Sequence, residues 1–171
     1  MSSHTLGKAF ALDWIIENTP KTGACLDVGA CDGVWGRNLR ERGHFEKLDA
    51  VEVFEPNIDG HNLRSIYDTV YPEDIRTFKY KTKYDLVILG DVLEHMTVEQ
   101  AQAVLKNARR HASRIIAAVP FMYRQGAIYG NPYEKHIQDD LTRENVRERF
   151  PELKPLIEFD NYGYYVWEAK A

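Results

Sequence analysis

Two stretches carry the residues best suited to chemistry. CLDVGACDGVWG (25–36) runs from an apolar strand into a turn with glycine at 29, 33 and 36. Bare backbone there lets a ligand come close, lets the chain bend sharply, or both. YDLVILGDVLEHM (84–96) is the most apolar strand of the chain and leads to His95. An unperturbed imidazole titrates near pH ~6.5, so His95 can act as a base toward a hydroxyl at neutral pH. Carboxylates at Asp27, Glu55, Asp74 and Asp91 lie on or near the ends of these and neighbouring strands.

Known phosphate- and nucleotide-binding loops narrow what the first turn holds. A P-loop would need a terminal Gly-Lys-Ser/Thr, which is missing. The dinucleotide fingerprint GxGxxG would need glycine at 31, where Cys31 stands. A side chain there obstructs the approach of a pyrophosphate, which disfavours NAD and FAD.

The elements that position these residues follow from periodicity. Apolar spacing over 4–18 predicts a helix ended by Pro20, within an N-terminal helical segment 1–20. Strands are predicted at 24–28, 48–54, 69–71, 84–90 and 114–119, with helices at 34–42, 58–66 and 98 to about 110 between them. Thr97 caps the third of these helices, and Thr142 caps a fourth that runs to Phe150. Residues 121–139 are irregular and bring Phe121, Met122, Tyr123, Tyr129 and Tyr133, enough aromatic surface to cover an acceptor from the substrate side. LIEFD and YGYYVWEAK close the chain as an antiparallel hairpin, because the link between them is too short for a crossover. The fold class is α/β, a Rossmann-like, mostly parallel seven-stranded sheet with helices on both faces. In such sheets ligands bind at the carboxyl ends of the strands.

The totals bound the rest. At 171 residues, 44% hydrophobic and 28% charged, residues 1–171 read as a single domain. A net charge of −4 gives no electrostatic footprint for nucleic acid. No leader-like N-terminus and no apolar run near the ~20 residues of a membrane span are present, so a cytoplasmic protein is expected. Cys25 and Cys31 lie outside any CxxC or zinc spacing.

Asp27-x-Gly29-x-x-x-Gly33 resembles motif I of the class I S-adenosylmethionine-dependent methyltransferases, and the resemblance extends from 24 to about 170. It implies that Asp27, Gly29, Ala30 and Gly33 hold the methionine end of S-adenosylmethionine. Glu55-Pro56 follows the second strand as the acid for the ribose diol. Asp74 and Ile75, in EDIR, fall where the family places an acid near the adenine amine and an apolar residue against the ring. The 84–96 stretch resembles the fourth motif, with Gly90 and Asp91 at the cofactor, and AAVP resembles the fifth strand. LEH resembles the subgroup acting on quinone precursors, sugars and other small molecules, and His136 resembles a histidine placed after the fifth strand there. The implied catalytic residues are His95 and His136. The implied reaction is in-line methyl transfer to a small-molecule acceptor, with a hydroxyl on a sugar, a lipid-linked compound or a secondary metabolite expected. Asp91, Glu94, His95 and His136 also resemble the metal-binding constellation of methyltransferases acting on the RNA 3′-terminal 2′-hydroxyl. Asp91 stands where that group has glutamate, and no metal is expected. A metal-assisted RNA 2′-O-methyltransferase and a non-catalytic cofactor-binding or partner domain are the alternatives.

Overall fold

The computed structural model describes residues 6–128 and 130–170. Helix α1 (Lys8–Asn18) precedes β1 (Ala24–Val28), α2 (Val34–Glu41), β2 (Lys47–Val51), α3 (Glu55–Gly60) and β3 (Thr69–Tyr71). After β4 (Tyr84–Gly90) come a short 3-10 turn (Leu93–His95), α4 (Val98–His111) and β5 (Ala112–Pro120). A second short turn (Pro132–Glu134), α5 (Arg143–Arg149), β6 (Lys154–Glu158) and β7 (Tyr162–Glu168) complete the order. The start of the expected N-terminal helix, residues 1–5, and the loop aromatic Tyr129 lie outside the described residues.

The seven strands form one sheet in the order β3-β2-β1-β4-β5-β7-β6. The first five are mutually parallel, while β7 runs antiparallel to both β5 and β6. Strand alternation sends successive side chains to opposite faces. In β4, Val87 and Leu89 join one core with Ala101, Val104 and Leu105 of α4. Leu86 and Ile88 join the other with Leu12 and Ile15 of α1 and Leu39 of α2. All four β4 side chains are fully buried, each worth roughly 1.5–3 kcal/mol of apolar transfer. That burial on both faces is why β4 is apolar throughout instead of alternating.

Two differences from the sequence reading bear on the site. The second strand ends at Val51 and not at Phe54, because the chain turns at Glu52, whose carboxylate accepts the Phe54 N–H at 2.8 Å. The helix expected over 58–66 is instead α3 followed by a separate 3-10 turn, Leu63–Ser65, entered through Asn62 in the left-handed region at φ 52°. By contrast, α4 has the full capping box. Thr97 Oγ1 accepts the Gln100 N–H at 3.3 Å, and Gln100 Oε1 accepts the Thr97 N–H at 3.1 Å. This fixes the start of α4 directly after His95.

Candidate active site

A cavity of about 550 Å³ opens at the carboxyl ends of β1, β2, β4 and β5. Its first wall is the loop after β1. Gly29, at φ 67°, takes the backbone turn that a side chain would strain, and Gly29, Ala30 and Cys31 line the cavity. Cys31 is itself left-handed at φ 49°, which aims its backbone N–H at Glu52 Oε2, 2.8 Å away. Glu52 is thus a buried carboxylate at the cavity wall, held at both oxygens by backbone N–H groups. Burial raises its pKa, against the opposing pull of those bonds.

Asp27 and Gly33 do not line the cavity. Asp27 lies beneath the loop, where Tyr67 donates its hydroxyl to Oδ2 and accepts the Gly36 N–H at 3.2 Å. Burial pushes the Asp27 carboxyl up to about 7. The third glycine of the turn therefore answers to a protein side chain. A Cβ on Gly36 would sit 2.5 Å from Tyr67 Cζ. Gly33 is the N-cap of α2.

Glu55 and Pro56, expected at the ribose, are exposed in the first turn of α3 and outside the cavity lining. Their placement follows from the early end of β2. The first carboxylate beyond that strand is Glu52, a residue that the longer predicted strand had absorbed. Asp74 and Ile75 do line the cavity. Although burial opposes it, the bond to Arg76 holds the Asp74 carboxyl below its ordinary range. Gly90 and Asp91 line the floor together with Trp35. Asp91 is left-handed at φ 57°, and its Oδ1 accepts the Tyr162 hydroxyl at 2.7 Å. Asp91 Oδ2 is buried without a hydrogen-bond partner.

The opposite wall joins the turn after β4 to the 121–139 segment. The Glu94 carbonyl accepts the N–H groups of Ile137 and Gln138, at 2.8 and 3.0 Å. Gln138 Nε2 donates to the carbonyls of Leu93 and Met96. This clamp brings His136 edge-on to His95, with ring centroids 4.8 Å apart. Each ring is oriented by a backbone carbonyl: His95 Nδ1 by Lys135 O at 3.2 Å, and His136 Nδ1 by Tyr123 O at 2.7 Å. Donation from Nδ1 leaves Nε2 of each ring as the lone-pair nitrogen. Burial, then His136, lowers the His95 pKa below 6.5. Glu94, beside them, is fully buried, and neither carboxylate oxygen has a hydrogen-bond partner beyond the pull of its own backbone N–H. Burial, then Asp91, raises its pKa well above the ordinary carboxylate value.

Glu94, His95 and His136 each offer one donor atom within 4.8 Å of the others, a set able to converge on a cation. Asp91, the fourth member of the constellation read from the sequence, stands outside it. The loop aromatics Phe121, Tyr123 and Tyr133 line the cavity, whereas Met122 lies outside the lining, 67% exposed. Sequence reasoning missed Glu52, Trp35 and Tyr162. Glu52 was readable as an acid at a strand end. Tyr162 reaches Asp91 from a strand 71 residues away and left no local signal.

This sheet order, with its reversed penultimate strand and a cavity over the β1 and β4 ends, defines a Rossmann-like methyltransferase fold. Residues 6–116 match the family model described as a methyltransferase domain, and the chain belongs to that family. Among solved structures it is similar to an S-adenosylmethionine-dependent methyltransferase from Clostridium acetobutylicum (12% identity, TM-score 0.72, 95% of this chain and 90% of that one). It is also similar to the N-terminal domain of EvdMO1, solved with SAH and D-fucose (17%, TM-score 0.74, 99% and 85%). The N-methyltransferase NodS from Bradyrhizobium japonicum is a third (12%, TM-score 0.64, 98% and 98%). At these identities the likeness is one of fold. No curated protein matches the chain. No described helix is long and apolar enough to cross a membrane.

Proposed function

We propose that the cavity binds S-adenosylmethionine and that the chain transfers its methyl group to a small hydroxylated acceptor, with His95 as the base. The observation that carries this reading is the pairing of walls in one cavity. A strand-end loop with a held carboxylate faces two oriented imidazoles. The residues fit the cofactor. Glu52 retains lone pairs to accept a ribose diol, and Asp74 with Ile75 forms the polar and apolar edges for an adenine. Gly29 and Ala30 give bare or small backbone, and the unpartnered Asp91 Oδ2 can accept an ammonium. Asp27 and Gly33 contribute from behind the loop, by fixing its shape. Glu55 and Pro56 have no part in the site.

When bound, S-adenosylmethionine supplies an already activated methyl carbon. The chain's work is then to position the nucleophile and exclude water. His95 Nε2 accepts the hydroxyl proton, and the carbonyl of Lys135 keeps the ring in the tautomer that can do so. His136 lines the same wall and orients the acceptor. An RNA acceptor is the reading this cavity supports least, because its lining carries seven carboxyl side chains against two cations, Arg76 and Lys135. Cys25 and Cys31 are not joined in a disulfide, which suits a cytoplasmic setting.

The test is calorimetric titration with S-adenosylmethionine, using NAD and ATP as controls, followed by transfer of labelled methyl to candidate acceptors. Selective micromolar binding and transfer are expected. Absence of S-adenosylmethionine binding sinks the reading, and binding without transfer to any acceptor returns the non-catalytic alternative.

A further inference from the structure

Glu94 poses a separate problem. A fully buried carboxyl with two unpartnered oxygens is costly unless something enters the cavity to satisfy it. Its neighbours cannot do so. His95 and His136 spend their Nδ1 hydrogens on backbone carbonyls and turn lone pairs toward the same space. The Tyr162 hydroxyl is given to Asp91. This end of the cavity therefore presents acceptors in need of donors.

We propose, building on the reading above, that the acceptor carries a protonated amine beside the hydroxyl that is methylated, and that Glu94 with His136 binds this ammonium. An ammonium brings three N–H donors, matching the carboxyl oxygens of Glu94 and an imidazole lone pair at once. The excess of carboxyl groups over cations around the cavity attracts the same ligand. Tyr123, edge-on to His136 with centroids 5.5 Å apart, adds an aromatic ring at the cavity wall.

Donor spacing admits an organic ammonium as well as a metal ion. Two atoms bound to one first-row ion at about 2.1 Å lie at most about 4.2 Å apart. Two acceptors around one ammonium, each about 2.8 Å away and at a tetrahedral angle, lie about 4.6 Å apart. The Glu94, His95 and His136 donor atoms lie within 4.8 Å of one another, a limit that both geometries meet, so the response to EDTA separates them. With the ammonium between Glu94 and His136, His95 remains for the adjacent hydroxyl, so the acceptor class is a small amino alcohol with neighbouring amine and hydroxyl.

Matched acceptor pairs test this: D-glucosamine against D-glucose, trans-2-aminocyclohexanol against trans-cyclohexane-1,2-diol, and ethanolamine against ethylene glycol. Each is incubated with the protein, labelled S-adenosylmethionine and EDTA. The expected result is at least tenfold faster labelling of an amine member than of its neutral partner, with the label on oxygen; label on nitrogen overturns the proposal. In Glu94→Gln that preference falls at least tenfold while calorimetric S-adenosylmethionine affinity stays unchanged. Equal labelling within the pairs, no labelling of any amine member by cofactor-binding protein, or a preference that survives in Glu94→Gln overturns the proposal. So does activity that EDTA abolishes and Mn²⁺ or Zn²⁺ restores, which assigns Glu94 to a metal. The wild-type pairs decide the matter even if Glu94→Gln fails to fold. Failure to bind S-adenosylmethionine at all is a different result, and counts against the cofactor reading instead.

Discussion

The Glu52 carboxylate accepts the backbone N–H of Cys31 at 2.8 Å, so the end of β2 is tied to the loop after β1 by one charge-assisted bond. The bond explains how a non-glycine residue is held at φ 49° in the middle of the loop. It also means that Glu52 shapes the loop and faces the cavity at once.

Removing that side chain should therefore weaken cofactor binding in a way that removing Glu55 does not. Glu52→Ala loses charge-assisted bonds worth about 1.5–3 kcal/mol, roughly a 10- to 150-fold rise in Kd for S-adenosylmethionine. Glu55→Ala, exposed on α3, should bind like the wild type. Calorimetry on the pair checks both. The reverse pattern would restore the ribose site to Glu55.

The pH dependence of transfer should report His95. Burial and the neighbouring His136 hold its pKa below 6.5, so the ring is neutral and able to accept a proton throughout the neutral range. The acid limb of kcat/KM should inflect below pH 6.5 and fall about one log unit per pH unit beneath it. His95→Ala should cut kcat by about 10²–10⁴ and abolish that limb. An inflection above 6.5 would assign it to another group.

Much of this architecture is legible in the residues. Fully apolar β4, the tight link before β7 and the Thr97 cap each carry a local physical signature, and each element stands where its signature placed it. The end of β2 does not carry one. Val53 and Phe54 have strand propensity, yet the backbone has already turned at Glu52, whose carboxylate takes the Phe54 N–H beside it and the Cys31 N–H of the adjoining loop. Gly36 misled in a related way. A glycine beside a binding loop reads as room for a ligand, while the space is filled by Tyr67, distant in sequence. Sites assembled from remote strands, such as Asp91 with Tyr162, leave no spacing to read.

That filled space gives a stability prediction. Gly36→Ala places a methyl 2.5 Å from Tyr67 Cζ, so the ring must shift and its hydrogen bonds to Asp27 and Gly36 are lost. Overpacking of this kind costs about 1–3 kcal/mol, or roughly 2–12 °C in Tm for a chain of this size. Combining it with Tyr67→Leu should recover part of the loss, since the clash disappears. Thermal melts of the two single variants and the double variant show this as non-additivity. Strict additivity would place the strain elsewhere.

Asp27 should make stability depend on pH with a sign opposite to that of a paired surface carboxylate. Its folded pKa is raised by burial from 3.8 to about 7, so the folded state favours the protonated form. The stability linked to this proton is fully present below about 3.8, is lost as the pH rises to about 7, and changes little beyond. Asp27→Asn keeps an oxygen for the Tyr67 hydroxyl but cannot ionise. The Tm of the variant minus that of the wild type should therefore grow steadily from pH 4 to pH 7 and then level off. A difference independent of pH over that range would show that Asp27 folds with its charge retained, helped by the opposite charge of Lys8.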